Sequence, residues 1–252
     1  MKNVKMIWMG MVSLLSVGAF ATTQTMIAGS DATPITVNAG IGAKMGAYRV
    51  SNDDKGFGFS GMGAAVGVNH YAFNNFEYGA TLKGGYGAVG GKKLFLKDGV
   101  GSGFMFGLDL AARYMPEIAT NMRLGGVVDV GYGRLFGEKV KDSYEKIAFG
   151  DLHFNVGPAF QHHVTDMFSY SVGLTGGMSA IRFSAKDRKE EAKKGDNMIV
   201  VKLPVNFLVQ ATEKTGVVFG VEPSWMKLPK HDELKWHHGV AVEACAGVQI
   251  GF

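Results

Sequence analysis

A two-residue hydrophobic rhythm runs through most of this chain and limits what it can fold into. From Trp236 onward the even positions are Trp236, His238, Val240, Val242, Ala244, Ala246, Val248, Ile250 and Phe252, while the odd positions between them are mostly polar or tiny. Successive side chains of a strand point to opposite faces, so this pattern describes a strand with one apolar face. The same rhythm recurs in nine earlier segments: 35–49, 57–71, 76–88, 104–114, 122–134, 152–160, 168–182, 199–209 and 217–225. The second of these is interrupted by glycine and is expected to carry a bulge. The reading is therefore all-β, with about ten strands.

The connections sort into two kinds. Short ones fall near 74–75, 116–121, 164–166 and 211–215; longer, more charged ones fall at 51–56, 90–102, 137–146, 186–197 and 226–235. Short turns at one end and long loops at the other describe an antiparallel up-and-down meander that closes into a transmembrane barrel. A soluble barrel would turn its apolar face inward and a charged face outward. Here the non-apolar face is rich in glycine, which makes up 37 of 252 residues, and glycine leaves room inside a narrow lumen. Aromatic residues also separate by depth. Phe76, Tyr78, Tyr114, Phe160, Phe168, Tyr170, Phe207 and Phe252 lie toward the short-turn end, and Tyr86, Phe104, Phe106, Tyr132, Trp225 and Trp236 toward the long-loop end. Two aromatic girdles around an apolar band are what a membrane-spanning barrel shows.

The first 21 residues read as a cleaved targeting segment. Lys2 and Lys5 precede an apolar run that ends in Ala19-Phe20-Ala21, a small-x-small cleavage signal. A short segment, 22–33, then leads into a barrel domain at 34–252. Without Lys2 and Lys5 the formal charge falls from +4 to +2, which gives no basis for nucleic-acid binding. The lone Cys245 excludes an internal disulfide.

The targeting segment, the even strand count and the final Val248-Gln249-Ile250-Gly251-Phe252 together resemble the outer-membrane β-barrel superfamily of Gram-negative bacteria, in particular its small opacity-like and porin-like members. The resemblance implies a cell outer-membrane location with periplasmic termini, and eight staves as the alternative count. It also implies that Val248, Ile250 and Phe252 form the signal read by the barrel-assembly machinery. Lipopolysaccharide is an implied neighbour; the mixed charges of the long loops describe solvated surface first and a host or matrix ligand as the weaker alternative.

Ten charged residues are expected to point into the lumen: Lys44, Lys83, Arg113, Arg123 and Lys202 against Glu77, Asp109, Asp129, Glu222 and Glu243. Opposite charges in a narrow barrel can satisfy one another and fill it, or can line a selective constriction; the balance of signs favours filling. Arg49, Arg134 and Arg182 stand at the outer ends of apolar faces, where a guanidinium can either meet lipopolysaccharide phosphates or simply snorkel to the interface. Chemistry is poorly marked. Gly85-x-Gly87-x-x-Gly90 ends a strand with no helix after it, so it is no dinucleotide loop. His231, Asp232, Glu233, His237 and His238 cluster in one loop without metal-ligand spacing. The expectation is a surface protein, porin-like or structural, with no catalytic residue, cofactor or metal; an adhesin-like ligand binder is the alternative and a barrel enzyme the third reading.

Overall fold

The computed structural model describes residues 35–50, 56–73, 75–91, 99–140, 144–186, 191–227 and 237–252. The expected targeting segment and 22–33, along with the tips of the five long loops, lie outside the described residues. Thirteen strand segments form one closed antiparallel sheet. They are β1 (Ile35–Val50), β2 (Gly56–Phe73), β3 (Phe76–Gly91), β4 (Gly99–Tyr114), β5 (Glu117–Ala119), β6 (Met122–Val140), β7 (Tyr144–Thr165), β8 (Phe168–Gly173), β9 (Thr175–Lys186), β10 (Glu191–Lys202), β11 (Val205–Gln210), β12 (Thr215–Lys227) and β13 (His237–Gly251). β8 with β9, and β10 with β11, each form a single stave, and β5 is a short piece in a turn. The barrel therefore has ten staves rather than eight, and each of the ten sequence segments lies on its own stave.

The register fixes the barrel's dimensions. Starting at Val37 on β1, the paired residues run through Val68, Ala80, Leu110, Val130, Phe154, Met178, Ile199, Lys227 and His238, and return to β1 at Arg49. One circuit thus climbs the 12 residues from Val37 to Arg49. With ten staves, that stagger corresponds to a tilt of about 40° and a backbone radius of about 10 Å. Such a bore is narrow enough for side chains to fill.

Alternation decides the faces. Ile41, Met62, Leu82, Leu110, Leu152, Val240 and Val248 are exposed on the outer wall, whereas their chain neighbours Lys83, Asp109, Asp151, Ala241 and Gln249 are buried within the bore. The outer wall faces hydrocarbon, and every backbone group inside it must be satisfied by a neighbouring stave, which closure achieves. The register of β2 is unbroken from Phe57 to Tyr71, so the bulge expected in that segment is not found there; the β2–β3 register shifts only between Tyr71 and Phe73, next to the turn. β6 and β7 run further out than the rhythm indicated, pairing as far as Val140 and Tyr144. Above the bilayer both faces meet water, so a strand there needs no apolar alternation.

One row breaks the ladder at mid-depth. Pro158, Leu174, Leu203 and Pro223 lie side by side: Leu174 N donates to the Pro158 carbonyl at 3.0 Å and Leu203 N to that of Pro223 at 2.9 Å, while Gly173 N donates to the Pro204 carbonyl at 2.9 Å. Proline has no N–H, so none of these three bonds can be returned. This is why β8 gives way to β9 at Leu174 and β10 to β11 at Leu203-Pro204.

Candidate functional site

Among the described residues, buried charged side chains gather in the lumen. Once the stagger of the staves is allowed for, seven of the ten expected lumen residues fall within about 8 Å of one height, near mid-membrane. These are Lys44, Lys83, Asp109, Asp129, Lys202, Glu222 and Glu243. Lys44 is the register partner of Glu243, which in turn faces Glu222. Lys202 Nζ stands 3.9 Å from Glu222 Oε1 and interacts electrostatically with Asp129 and Asp109. Lys83 is ion-paired with Asp109. Glu77 and Arg113, register partners on β3 and β4, lie lower. Arg123 lies lowest, paired in register with Glu117 and Gln161. These three share their depth with neutral buried groups such as Asn38, Asn69, Ser171, Asn206 and Gln249.

Two residues that the sequence reading left out complete the belt. Asp151 and His153 are buried on β7, with His153 Nδ1 3.1 Å from Asp151 Oδ2 and Nε2 3.4 Å from Asp129 Oδ2 and 3.7 Å from Asp109 Oδ1. Ser179 Oγ donates to Asp151, and Asn155 Nδ2 donates to Asp129 Oδ2 at 2.9 Å. The signal was present in the sequence: the rhythm of 152–160 turns His153 inward, and continuing it back by one residue adds Asp151. Balance between the signs does not hold at this level. Lys44, Lys83 and Lys202 meet Asp109, Asp129, Asp151, Glu222 and Glu243, a deficit of two positive charges while His153 is neutral.

Glycine makes room for the polar side chains of the lumen. A Cβ on Gly131 would strike Asp109 Oδ1 and the His153 ring, and one on Gly79 would strike Asn69. A Cβ on Gly220 would come within 2.6 Å of Asn206 Oδ1 and 2.8 Å of Cys245 Sγ. Cys245 is a buried free thiol.

Toward the long loops much of the lumen lining turns apolar, with buried Asp151 and Ser179 at the same height. Phe59, Met105, Leu135, Met198, Val200, Met226 and Ala241 all point inward and are at most 3% exposed. Met105 is the register partner of Leu135, and Val200 of Met226, on opposite walls. The Phe59 ring occupies the space left by Gly46 and lies 5.8 Å from Lys44 Nζ, tying this layer to the charges beneath it. An apolar inner face at this end departs from the polar or glycine face expected there.

The remaining sequence candidates disperse. Arg134 is on the outer face with its guanidinium 4.8 Å from the Phe136 ring centroid. The side chains of Arg49 and Arg182 lie outside the described residues, although Arg134 and Arg182 share a register row through Gly150. Val248, Ile250 and Phe252 are exposed on the outer wall, and Phe252 N closes onto the Ile35 carbonyl at 2.9 Å. Gly85 and Gly87 belong to β3, and Gly90 is still paired within it rather than opening a loop. His231, Asp232 and Glu233 fall outside the described residues. His162 packs with Tyr170 on the outer face, and His163 Nδ1 bonds Ser169 Oγ at 2.8 Å. Among the described residues, no group of three or more His, Cys, Asp or Glu side chains could hold a metal ion.

Known folds agree with this architecture. The chain is similar to the outer membrane protease OmpT from Escherichia coli, at 12% identity over 86% of this chain and 96% of that one, with a TM-score of 0.53. It is equally similar to the translocator domain of the autotransporter NalP from Neisseria meningitidis, at 12% identity over 100% and 97% of the two chains, TM-score 0.53. At that identity the likeness establishes the fold alone. No protein-family model and no curated protein matches the sequence.

Proposed function

We propose that the chain is an outer-membrane surface barrel with a lumen sealed to ions, displaying its five long loops outside the cell while its termini and short turns lie in the periplasm. The apolar layer of Phe59, Met105, Leu135, Met198, Val200 and Met226 across the loop end of the bore carries this reading. A hydrophobic constriction excludes hydrated ions. The barrel is then a scaffold, and recognition of host or matrix ligands belongs to the loops. Arg49, Arg134 and Arg182 are assigned to lipopolysaccharide headgroups, and Val248, Ile250 and Phe252 to the assembly machinery. Folds of this kind serve many activities, and no described constellation joins a nucleophile or activated water to an open cleft, so an enzyme is not the favoured reading. The test is reconstitution into vesicles loaded with a small anionic dye and potassium. Retention of both for hours supports the sealed scaffold; rapid loss of either, reversed when the protein is omitted, overturns it.

A further inference from the structure

We propose that His153 is a pH-operated latch on the sealed lumen: its charged ring holds the bore shut, and loss of that charge admits water and potassium at alkaline pH. The latch rests on the sealed-lumen reading and adds a control to it. The apolar layer is interrupted at one wall, where Asp151 and Ser179 are fully buried at its height. A carboxylate in such a layer stays dry only while a cation and hydrogen-bond donors satisfy it. Among the described residues those partners are the His153 ring, with Nδ1 3.1 Å from Asp151 Oδ2, and the Ser179 hydroxyl, which donates to Asp151 Oδ1. The other ring nitrogen, Nε2, faces the belt, 3.4 Å from Asp129 Oδ2 and 3.7 Å from Asp109 Oδ1. An imidazolium carries an N–H on both nitrogens and serves both sides at once. A neutral imidazole carries one and leaves a carboxylate facing a bare nitrogen.

The groups around the ring decide where the loss is felt. Asp109 on β4 also has Lys83 of β3, and Asp129 on β6 also has the amide of Asn155. Lys202 on β10 attracts both of these carboxylates and repels the ring. The ion pair of Asp151 is with His153 itself. Even with the last N–H on Nδ1, a neutral ring leaves Asp151 a hydrogen bond but no counter-charge. A carboxylate is then stranded within the apolar layer, and hydrating it opens a wet path along the β6, β7 and β9 wall. With the ring neutral, the belt and Asp151 carry two fewer positive than negative charges, so that path favours cations. Gly131 keeps the latch tight, because a Cβ there would strike Asp109 Oδ1 and the ring together.

The experiment is potassium efflux from vesicles carrying the folded barrel, with the same pH inside and out, stepped from about pH 6 to about pH 10. The parent protein, Asp151→Asn and His153→Asn are compared, and folding of each is checked by heat-dependent gel mobility. The parent is expected to retain potassium at the acidic end and to leak as pH rises, the rate climbing by up to about tenfold per pH unit as one proton is lost. Asp151→Asn leaves no charge to strand in the apolar layer and should retain potassium across the whole range. His153→Asn lacks the cation at every pH and should leak throughout. Retention by the parent at every pH would overturn the latch and leave the sealed lumen standing, whereas a leak by the parent at every pH would overturn both. An alkaline leak that persists unchanged in Asp151→Asn would also overturn the latch, because another group, such as Lys83 or Lys202, would then be the one titrating. So would tight retention by folded His153→Asn. If His153→Asn does not fold, the parent and Asp151→Asn decide the matter between them.

Discussion

Replacing Lys83 with alanine tests whether the charge belt is dry. Lys83 and Asp109 are ion-paired with side chains only 5% and 7% exposed. Removing the ammonium leaves Asp109 with His153 Nε2 3.7 Å away and one fewer counter-charge. An effective dielectric of about 20 gives a lost attraction of about 4 kcal/mol at a separation of about 4 Å. Breaking one side of a buried pair generally costs about 3–5 kcal/mol. Replacing both partners with apolar residues of similar size, Lys83→Met with Asp109→Leu, removes the stranded charge as well. The double variant should therefore recover to within about 1 kcal/mol of the parent. Reversible urea unfolding of the lipid-reconstituted barrel, followed by tryptophan fluorescence, measures each corner of this cycle. Single variants that cost less than about 1 kcal/mol would refute the argument, because such values belong to charges screened by water.

Three other outcomes follow from the same geometry. Gly79→Val should destabilise the barrel by about 1–3 kcal/mol, since its side chain would collide with Asn69 and the Val68 carbonyl; Gly176→Val, with nothing within 4 Å, should be neutral within about 0.5 kcal/mol in the same assay. Exchanging Met105, Met198 and Met226 together for serine should wet the loop end of the lumen and convert a dye-retaining barrel into one that leaks potassium in a vesicle efflux assay. Pro223→Val restores an N–H opposite Leu203 and should stabilise the barrel by about 0.5–1.5 kcal/mol, with slower hydrogen exchange at neighbouring amides, provided the hydrocarbon excludes water from that row.

Much of this structure is legible in the sequence, and the remainder is hidden for physical reasons. The outer wall can be read because lipid contact demands an apolar residue at every second position, which located all ten staves and placed Lys44, Lys202 and Glu243 inside. Asp151 and His153 are harder to read because the apolar members of 152–160 carry the rhythm and the polar residues between them carry none. The apolar inner layer escaped for the opposite reason. In Phe104-Met105-Phe106 and in Met198 to Val201 both faces are apolar, so alternation disappears where the strand faces lipid outside and a dry lumen within. The proline row needed the register: Pro158 and Pro223 are 65 positions apart in the chain but fall on one line across three seams. The depth of the charge belt likewise depends on the 12-residue climb from Val37 to Arg49, which no local pattern reveals.

Single-channel recording in a planar bilayer tests the sealed lumen most directly. The folded protein is predicted to insert without producing conductance steps, in either polarity and in molar salt. Stable, reproducible steps from protein shown to be folded would contradict it and would make the belt from Lys44 to Glu243 a selectivity constriction rather than a plug.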